Sequence, residues 1–260
     1  MQLFALNSEN QLVGASLAHK KRDYSCMECG KNVRRRGGKN RQDHFYHLKP
    51  DPACRQSQKS LHHLQVQWHL YHLLPDGECI LEKRFPEISR IADAVWEKKK
   101  LVFEVQCSPI AQAEVMQRNR DYQSLGYTVV WILHERRFHQ RKISAAEEWL
   151  QGKPHYFTNF DAAGNGQIYD HLQIYEGGMR RYRSEKSLIN PAAPVFTGNC
   201  LVFEGDWTFR LMQKERVAVS VWEAFRQEMR KRTPHRRRLG ISLLRWYLNL
   251  FNLVLEKCCR

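Results

Sequence analysis

Acidic residues are scarce in this chain. Asp and Glu together number 27 against 42 Lys and Arg in 260 residues, leaving a formal net charge of +15. That excess implies attraction to a polyanion, with nucleic acid the first partner class and an anionic membrane the rival. Also lacking is a basic stretch followed by a long apolar run at the start. Met1-Gln2-Leu3-Phe4-Ala5-Leu6 reads as no secretory signal, which sets a cytoplasmic location as the expectation. No internal repeat is present. The one extended apolar stretch, residues 239–255, is interrupted by Arg245, Asn249 and Asn252 and is short for a spanning helix. The eight cysteines form no regular framework, and their one close pair is Cys26 and Cys29. Without an export signal, that pair points to metal binding in a reducing compartment rather than to disulfides.

What is present argues for a folded protein. Apolar residues make up 42%, with seven Trp and twelve Phe, enough for a real core. Composition divides the chain into three regions. Residues 1–56 are rich in Lys, Arg, Gly, Cys and His with little apolar periodicity, and so small a module needs a staple such as zinc. Residues 57–150 have the pattern of a compact α/β unit. Residues 151–260 are less informative: 190–194 reads as a linker, 201–204 as a strand and 217–232 as a helix. The expectation for this region is α-rich, ending in a basic amphipathic helix after Arg236-Arg237-Arg238 that packs on the protein.

In the first region, Cys26-Met27-Glu28-Cys29 places two thiolates where one tight knuckle presents both to one ion. The remaining ligands come from His44, His47 and Cys54, with His47 and Cys54 favoured because the intervening loop can close the site. The ion expected is a structural Zn²⁺. Between the ligand pairs lie Arg34, Arg35, Arg36 and Lys39 around Gly37-Gly38. They read as a flexible basic loop suited to nucleic-acid phosphates, which give affinity but little base specificity.

In the second region, Leu61, Leu64, Trp68 and Tyr71 recur at helical spacing, and Pro75-Asp76-Gly77 ends that helix. A strand starts at Cys79, and two more follow at Arg90-Ile91-Ala92-Asp93-Ala94-Val95-Trp96 and Leu101-Val102-Phe103-Glu104-Val105-Gln106. Ser108-Pro109 reads as a helix N-cap and first helical position, Gly126 as its stop, and 127–133 as a buried central strand. The predicted order is helix, three strands, helix, strand. With a hairpin loop at Lys98-Lys99, Asp93 falls directly opposite Glu104; a loop one residue different makes them diagonal neighbours, still within reach of a shared cation. Two acids converging from adjacent strands repel, and Mg²⁺ or Mn²⁺ held by Asp93 and Glu104 is the natural neutraliser. Such an ion activates water for phosphodiester hydrolysis, and Gln106, on the same face as Glu104, would orient that water. His63 is a candidate for contacting substrate or water, though several histidines (His62, His63, His69, His72) share its half-exposed helix. Arg118 and Tyr122 lie one turn apart on the next helix, Arg118 as a phosphate contact and Tyr122 as core.

Taken together, Cys26-x-x-Cys29, His44-Phe45-x-His47, Ser60-x-x-His63, Arg90-x-x-Asp93, Glu104-x-Gln106-x-Ser108, Arg118-x-x-x-Tyr122 and Trp131-Ile132-Leu133 resemble the CoiA-like competence protein family. They run in order across about residues 24–135. The resemblance implies a zinc-ribbon-like N-terminal module on a restriction-endonuclease-like core of the PD-(D/E)XK type. It implies a role with DNA taken up during transformation, or in recombination. The chain departs from the pattern at two places. An acid commonly precedes the Ser of the Ser-x-x-His element, where this chain has Lys59, and a Lys four residues after the His is here Gln67. Glutamine also stands at position 106, where lysine is commoner in the wider superfamily.

Two functions follow from this reading. One is a zinc-stabilised, Mg²⁺- or Mn²⁺-dependent nuclease or nuclease-like DNA-processing protein acting on single- or double-stranded DNA. The other is a DNA-binding accessory factor without catalysis that assists recombination proteins, and Lys59 and Gln67 are its support. Membrane attachment through the terminal helix is a third and less favoured reading.

Overall fold

The computed structural model describes residues 1–39, 41–197 and 200–212. The chain divides into two compact units, Met1–Ile168 and Tyr169–Arg260. The first unit opens with short antiparallel strands: β1 (Phe4–Leu6), β2 (Leu12–Gly14), β3 (Asp23–Ser25), β4 (Asn32–Gly38) and β5 (Arg41–His47). Their spatial order is β2-β1-β3-β4-β5. The core beneath them is small, made of Ala5, Tyr24, Val33 and Phe45 with Cys26 and Cys54, and the Tyr24 and Phe45 rings lie 5.1 Å apart. So few apolar groups bury little area, and two of the buried side chains among them are cysteines.

The basic residues expected in a flexible loop lie on β4 instead. Arg34, Arg35 and Arg36 pair with Tyr46, Phe45 and His44 of β5. Backbone pairing accounts for the difference, since Val33 and Phe45 are fully buried and pin the strand. A bulge follows at Gly37, where a Cβ would stand 2.0 Å from the Asp43 carboxylate, so only glycine fits.

After a 3₁₀ turn at Arg55–Gln58, helix α1 spans Leu61–Leu73, with the Ser60 hydroxyl accepting from the His63 backbone N–H. Its buried positions are His63, Leu64, Val66, Gln67 and Leu70. The predicted apolar stripe is therefore rotated: Leu64 is buried, but Tyr71 is 41% exposed. Two polar side chains take the inward places because a buried partner awaits them on the sheet.

That sheet follows as β6 (Cys79–Phe85), β7 (Arg90–Trp96) and β8 (Leu101–Gln106), then helix α2 (Gln112–Ser124) and β9 (Thr128–His134). Short helices α3 (Glu135–Phe138) and α4 (Ala145–Leu150) precede β10 (His155–Thr158). From α1 to β9 the elements run helix, three strands, helix, strand, as read from the sequence. β6, β7 and β8 are antiparallel, while β8, β9 and β10 are parallel neighbours. A parallel β8–β9 pair needs a crossover, and α2 supplies it. Every residue of β8 except Gln106 is buried, as a strand covered on both faces requires. Ser108-Pro109 does not start α2: Ala111 precedes its first residue, and Ser108 instead accepts two hydrogen bonds from the Gln106 amide. Gly126 ends the helix at φ +78°, and its N–H bonds the Gln123 carbonyl.

The second unit is built from strands. β11 (Ile168–Asp170) pairs with β14 (Ser187–Leu188), β12 (Gln173–Glu176) with β13 (Met179–Arg183), and β15 (Pro194–Thr197) with β16 (Cys200–Phe203). One short helix, α5 (Trp207–Met212), follows. Residues 190–194 are not a linker but a turn in this unit, where Ala193 N–H bonds the Asn190 carbonyl. The α-rich expectation does not hold for the described part of the C-terminal region, where β10 to β16 outweigh α5. Alternation explains it: in Met179-Arg180-Arg181-Tyr182-Arg183, Arg180 and Tyr182 are buried while Arg181 and Arg183 are exposed. The predicted helix at 217–232 and the basic terminal helix at 239–255 lie outside the described residues.

Candidate functional site

Register builds the site. β7 and β8 pair as Trp96↔Leu101, Val95↔Val102 and Ala94↔Phe103, so the next residues, Asp93 and Glu104, stand opposite one another as predicted. β6 and β7 pair as Leu81↔Ala94 and Lys83↔Ala92, which sets Glu82 level with Asp93. Glu82, Asp93 and Glu104 thus form a row across three neighbouring strands, and all are buried, at 2%, 3% and 1% exposure. The sequence reading missed Glu82, which sits between Leu81 and Lys83 and resembles an outward-facing position. Its backbone is left-handed, φ +49°, a costly conformation for a glutamate that its partners must hold in place.

Protein donors neutralise this row. One Glu82 oxygen accepts the backbone N–H groups of Leu3 and Phe4, each at 3.1 Å. The other lies 3.0 Å from Lys59 Nζ, which is also 2.9 Å from Asp93 Oδ1. Asp93 Oδ1 further meets His63 Nε2 at 2.9 Å, while Oδ2 accepts the Val105 N–H at 2.8 Å. Gln67 donates from Nε2 to the Asp93 carbonyl at 2.8 Å, leaving its buried Oε1 without a hydrogen bond. This is why His63 and Gln67 turn inward on α1. Glu104 accepts from Arg118 at 2.5 Å and from the Tyr122 hydroxyl at 2.7 Å. Arg118 also bonds Glu114, and Arg90 bridges Glu114 and Asp121, tying β7 to α2.

The two facing acids are pushed apart in acidity. Burial works against the Asp93 charge, yet His63 and Lys59 outweigh it and hold its carboxyl well below the usual range. Burial dominates for Glu104, aided by the neighbouring Asp93 charge, and raises it despite Arg118. Lys59 is raised, because Asp93 and Glu82 overcome its burial. A cleft of about 170 Å³ opens over this arrangement, lined by Arg55, Lys59, His63, Arg90 and Arg118 among others. Gln106 borders it, but its amide is engaged with Ser108.

Upstream, Cys26, Cys29, His47 and Cys54 converge, their ligand atoms all within 4.8 Å of one another. Cys26 and Cys54 sulfurs are 3.7 Å apart, and Cys29 Sγ lies 3.3 Å from His47 Nε2. Gly30 at φ +69° and the Cys26 N–H to Lys31 carbonyl bond shape the knuckle. Three sulfurs and one imidazole at this spacing fit a tetrahedral metal such as zinc. Burial raises the thiols of Cys26 and Cys54, and a bound cation would reverse that. His44 does not belong to this cluster. It is three residues from His47 on a strand, hence on the opposite face, and its Nδ1 lies 2.8 Å from the Gln42 carbonyl. Arg34 and Arg35 are engaged as well, with Asp23 and Asp43. The knuckle adjoins the cleft: Glu28 holds Arg55 and the Gln56 N–H, and all three residues line the cleft.

An antiparallel strand pair presenting facing acids, crossed over by a helix into a parallel strand, defines a nuclease-like α/β domain. Residues 59–159 match the family described as "Competence protein CoiA, nuclease-like domain". Over those residues, about two fifths of the chain, the match bears out the resemblance carried by the motifs from Ser60 to Leu133. No curated protein and no solved structure matches the chain. Among the described residues, no helix is long and apolar enough to cross a membrane.

Proposed function

We propose that this protein handles DNA during uptake or recombination by seating the sugar-phosphate backbone in the cleft over Asp93, without needing a divalent ion to bind it. The observation carrying this reading is that the carboxylate row is already neutralised. Each of its side-chain oxygens has a protein donor, and four permanent cations (Arg55, Lys59, Arg90 and Arg118) line the cleft against Glu28 and Asp93. In a chain of net charge +15, Arg55, Arg90 and Arg118, held in place by Glu28, Glu114, Asp121 and Glu104, are the groups that would share N–H donors with phosphates. Asp93 and Glu104 are a poor fit to Mg²⁺ or Mn²⁺, because an ion would have to displace Lys59 or Arg118 to reach their oxygens.

In this reading, Arg118 holds Glu104 buried and also lines the cleft. Arg55 and Arg90 flank the backbone path, and the metal knuckle sets Arg55 through Glu28. Zinc, when bound, would be structural, held by Cys26, Cys29, His47 and Cys54. Fluorescence anisotropy with single- and double-stranded oligonucleotides tests the proposal. Binding in EDTA should equal binding with Mg²⁺, and Arg55→Ala with Arg90→Ala should weaken it at least tenfold. DNA binding that requires Mg²⁺ would refute it.

Metal-dependent hydrolysis is the second reading, favoured by the direct Asp93–Glu104 register. It predicts Mg²⁺- or Mn²⁺-dependent cleavage by the wild type that both Asp93→Ala and Glu104→Ala abolish.

A further inference from the structure

We infer that the Lys59 ammonium is the resident cation of the Glu82–Asp93 pair, standing where a divalent ion would otherwise bind and closing the site to one. This deepens the DNA-handling reading, on which it rests, by saying what neutralises the cleft floor.

Convergence is the first argument. Carboxylate oxygens from two adjacent strands meet one nitrogen, Glu82 Oε1 at 3.0 Å and Asp93 Oδ1 at 2.9 Å. The second oxygen of each is fixed elsewhere by backbone N–H groups, of Leu3 and Phe4 for Glu82 and of Val105 for Asp93. Both acids are thereby aimed at a single point, as metal ligands are. That point is enclosed: the Lys59 side chain is 8% exposed and the Glu82 side chain 0%.

Charge is the second argument. Two buried carboxylates need a positive partner, since an uncompensated ion in low dielectric is strongly unfavourable. One ammonium bonding both acids meets that need, with His63 Nε2 2.9 Å from Asp93 Oδ1. Mg²⁺ and Mn²⁺ demand oxygens at about 2.0–2.2 Å in near-octahedral array, and a nitrogen at the centre occupies that space. An ammonium and a divalent ion are therefore alternatives here. Strain is the third argument: Glu82 keeps a left-handed backbone, φ +49°, a conformation that persists only where its surroundings over-determine it.

Removing the ammonium should open the site. Mn²⁺ binding to the full-length protein, followed by the loss of the free-ion electron paramagnetic resonance signal, reads this directly. Mn²⁺ is chosen because its hardness disfavours the cysteine cluster. Wild type and Lys59→Arg should bind no Mn²⁺ that Asp93→Asn can remove. Lys59→Ala should gain one site, at least tenfold tighter than any in wild type, which Lys59→Ala with Asp93→Asn loses again. A folded Lys59→Ala that gains no site would overturn the inference. So would a Mn²⁺ site in wild type that Asp93→Asn abolishes, and this comparison decides the matter even if Lys59→Ala does not fold. The result is independent of DNA affinity in EDTA, so either the cleft reading or the resident cation can fail alone.

Discussion

Arg118 and Glu104 show how single residues are committed at the cleft. Glu104 is 1% exposed and survives as a hydrogen-bonded carboxylate because Arg118 and Tyr122 reach both its oxygens. Arg118→Met would leave that acid buried with one partner. The expected cost is about 3–5 kcal/mol in urea denaturation, most of it recovered when Glu104→Gln is added. A double mutant no more stable than the sum of its parts would show the pair to be uncoupled. In the second unit, His171 is 6% exposed, its Nδ1 against the Ser184 carbonyl, and burial lowers its pKa to about 4 from the ordinary 6.5. The folded state holds it neutral, so its contribution is fully present above pH 6.5 and is lost as pH falls toward 4. Stability of this unit should drop by about 3 kcal/mol across that interval. His171→Asn should flatten the profile, as the pH dependence of the Trp207 fluorescence transition would report.

At the scale of elements, the knuckle and β5 decide which histidine matters. His47 and His44 differ by an odd number of residues on one strand, so only one can face Cys26, Cys29 and Cys54. Purified protein should carry roughly one zinc per chain. His47→Ala and Cys54→Ser should lose it and destabilise the N-terminal sheet, whereas His44→Ala should retain it; elemental analysis with thermal melting separates these outcomes. Spacing alone left three candidates for two places, because faces become visible only once β5 is a strand. Helix α1 carries the same lesson. Its apolar spacing predicted Trp68 and Tyr71 inside, but a buried Asp93 drew His63 and Gln67 inward and turned the helix.

For the whole molecule, charge and register act together. A net charge of +15 favours a polyanionic partner at long range, and four of the cations line the cleft. Affinity for DNA should fall with salt, and the slope should shrink by about one per phosphate-contacting cation removed. An unchanged slope in Arg55→Ala would take that residue off the backbone path.

The order from α1 to β9, the Asp93–Glu104 pairing and the cysteine pair were legible without coordinates, because each follows from local periodicity or spacing. Residues close in sequence dictate strands, turns and a hairpin register, and with them the class of domain. Tertiary structure decided the rest. Glu82 lies one hairpin before Asp93, and its left-handed backbone, φ +49°, turns it inward beside buried Leu81 against the alternation of the strand. Lys59 read as a departure from a pattern, and only the fold shows its ammonium between two carboxylates. Buried charges must find partners wherever the chain can supply them, and those partners come from distant segments that no local pattern can pair in advance.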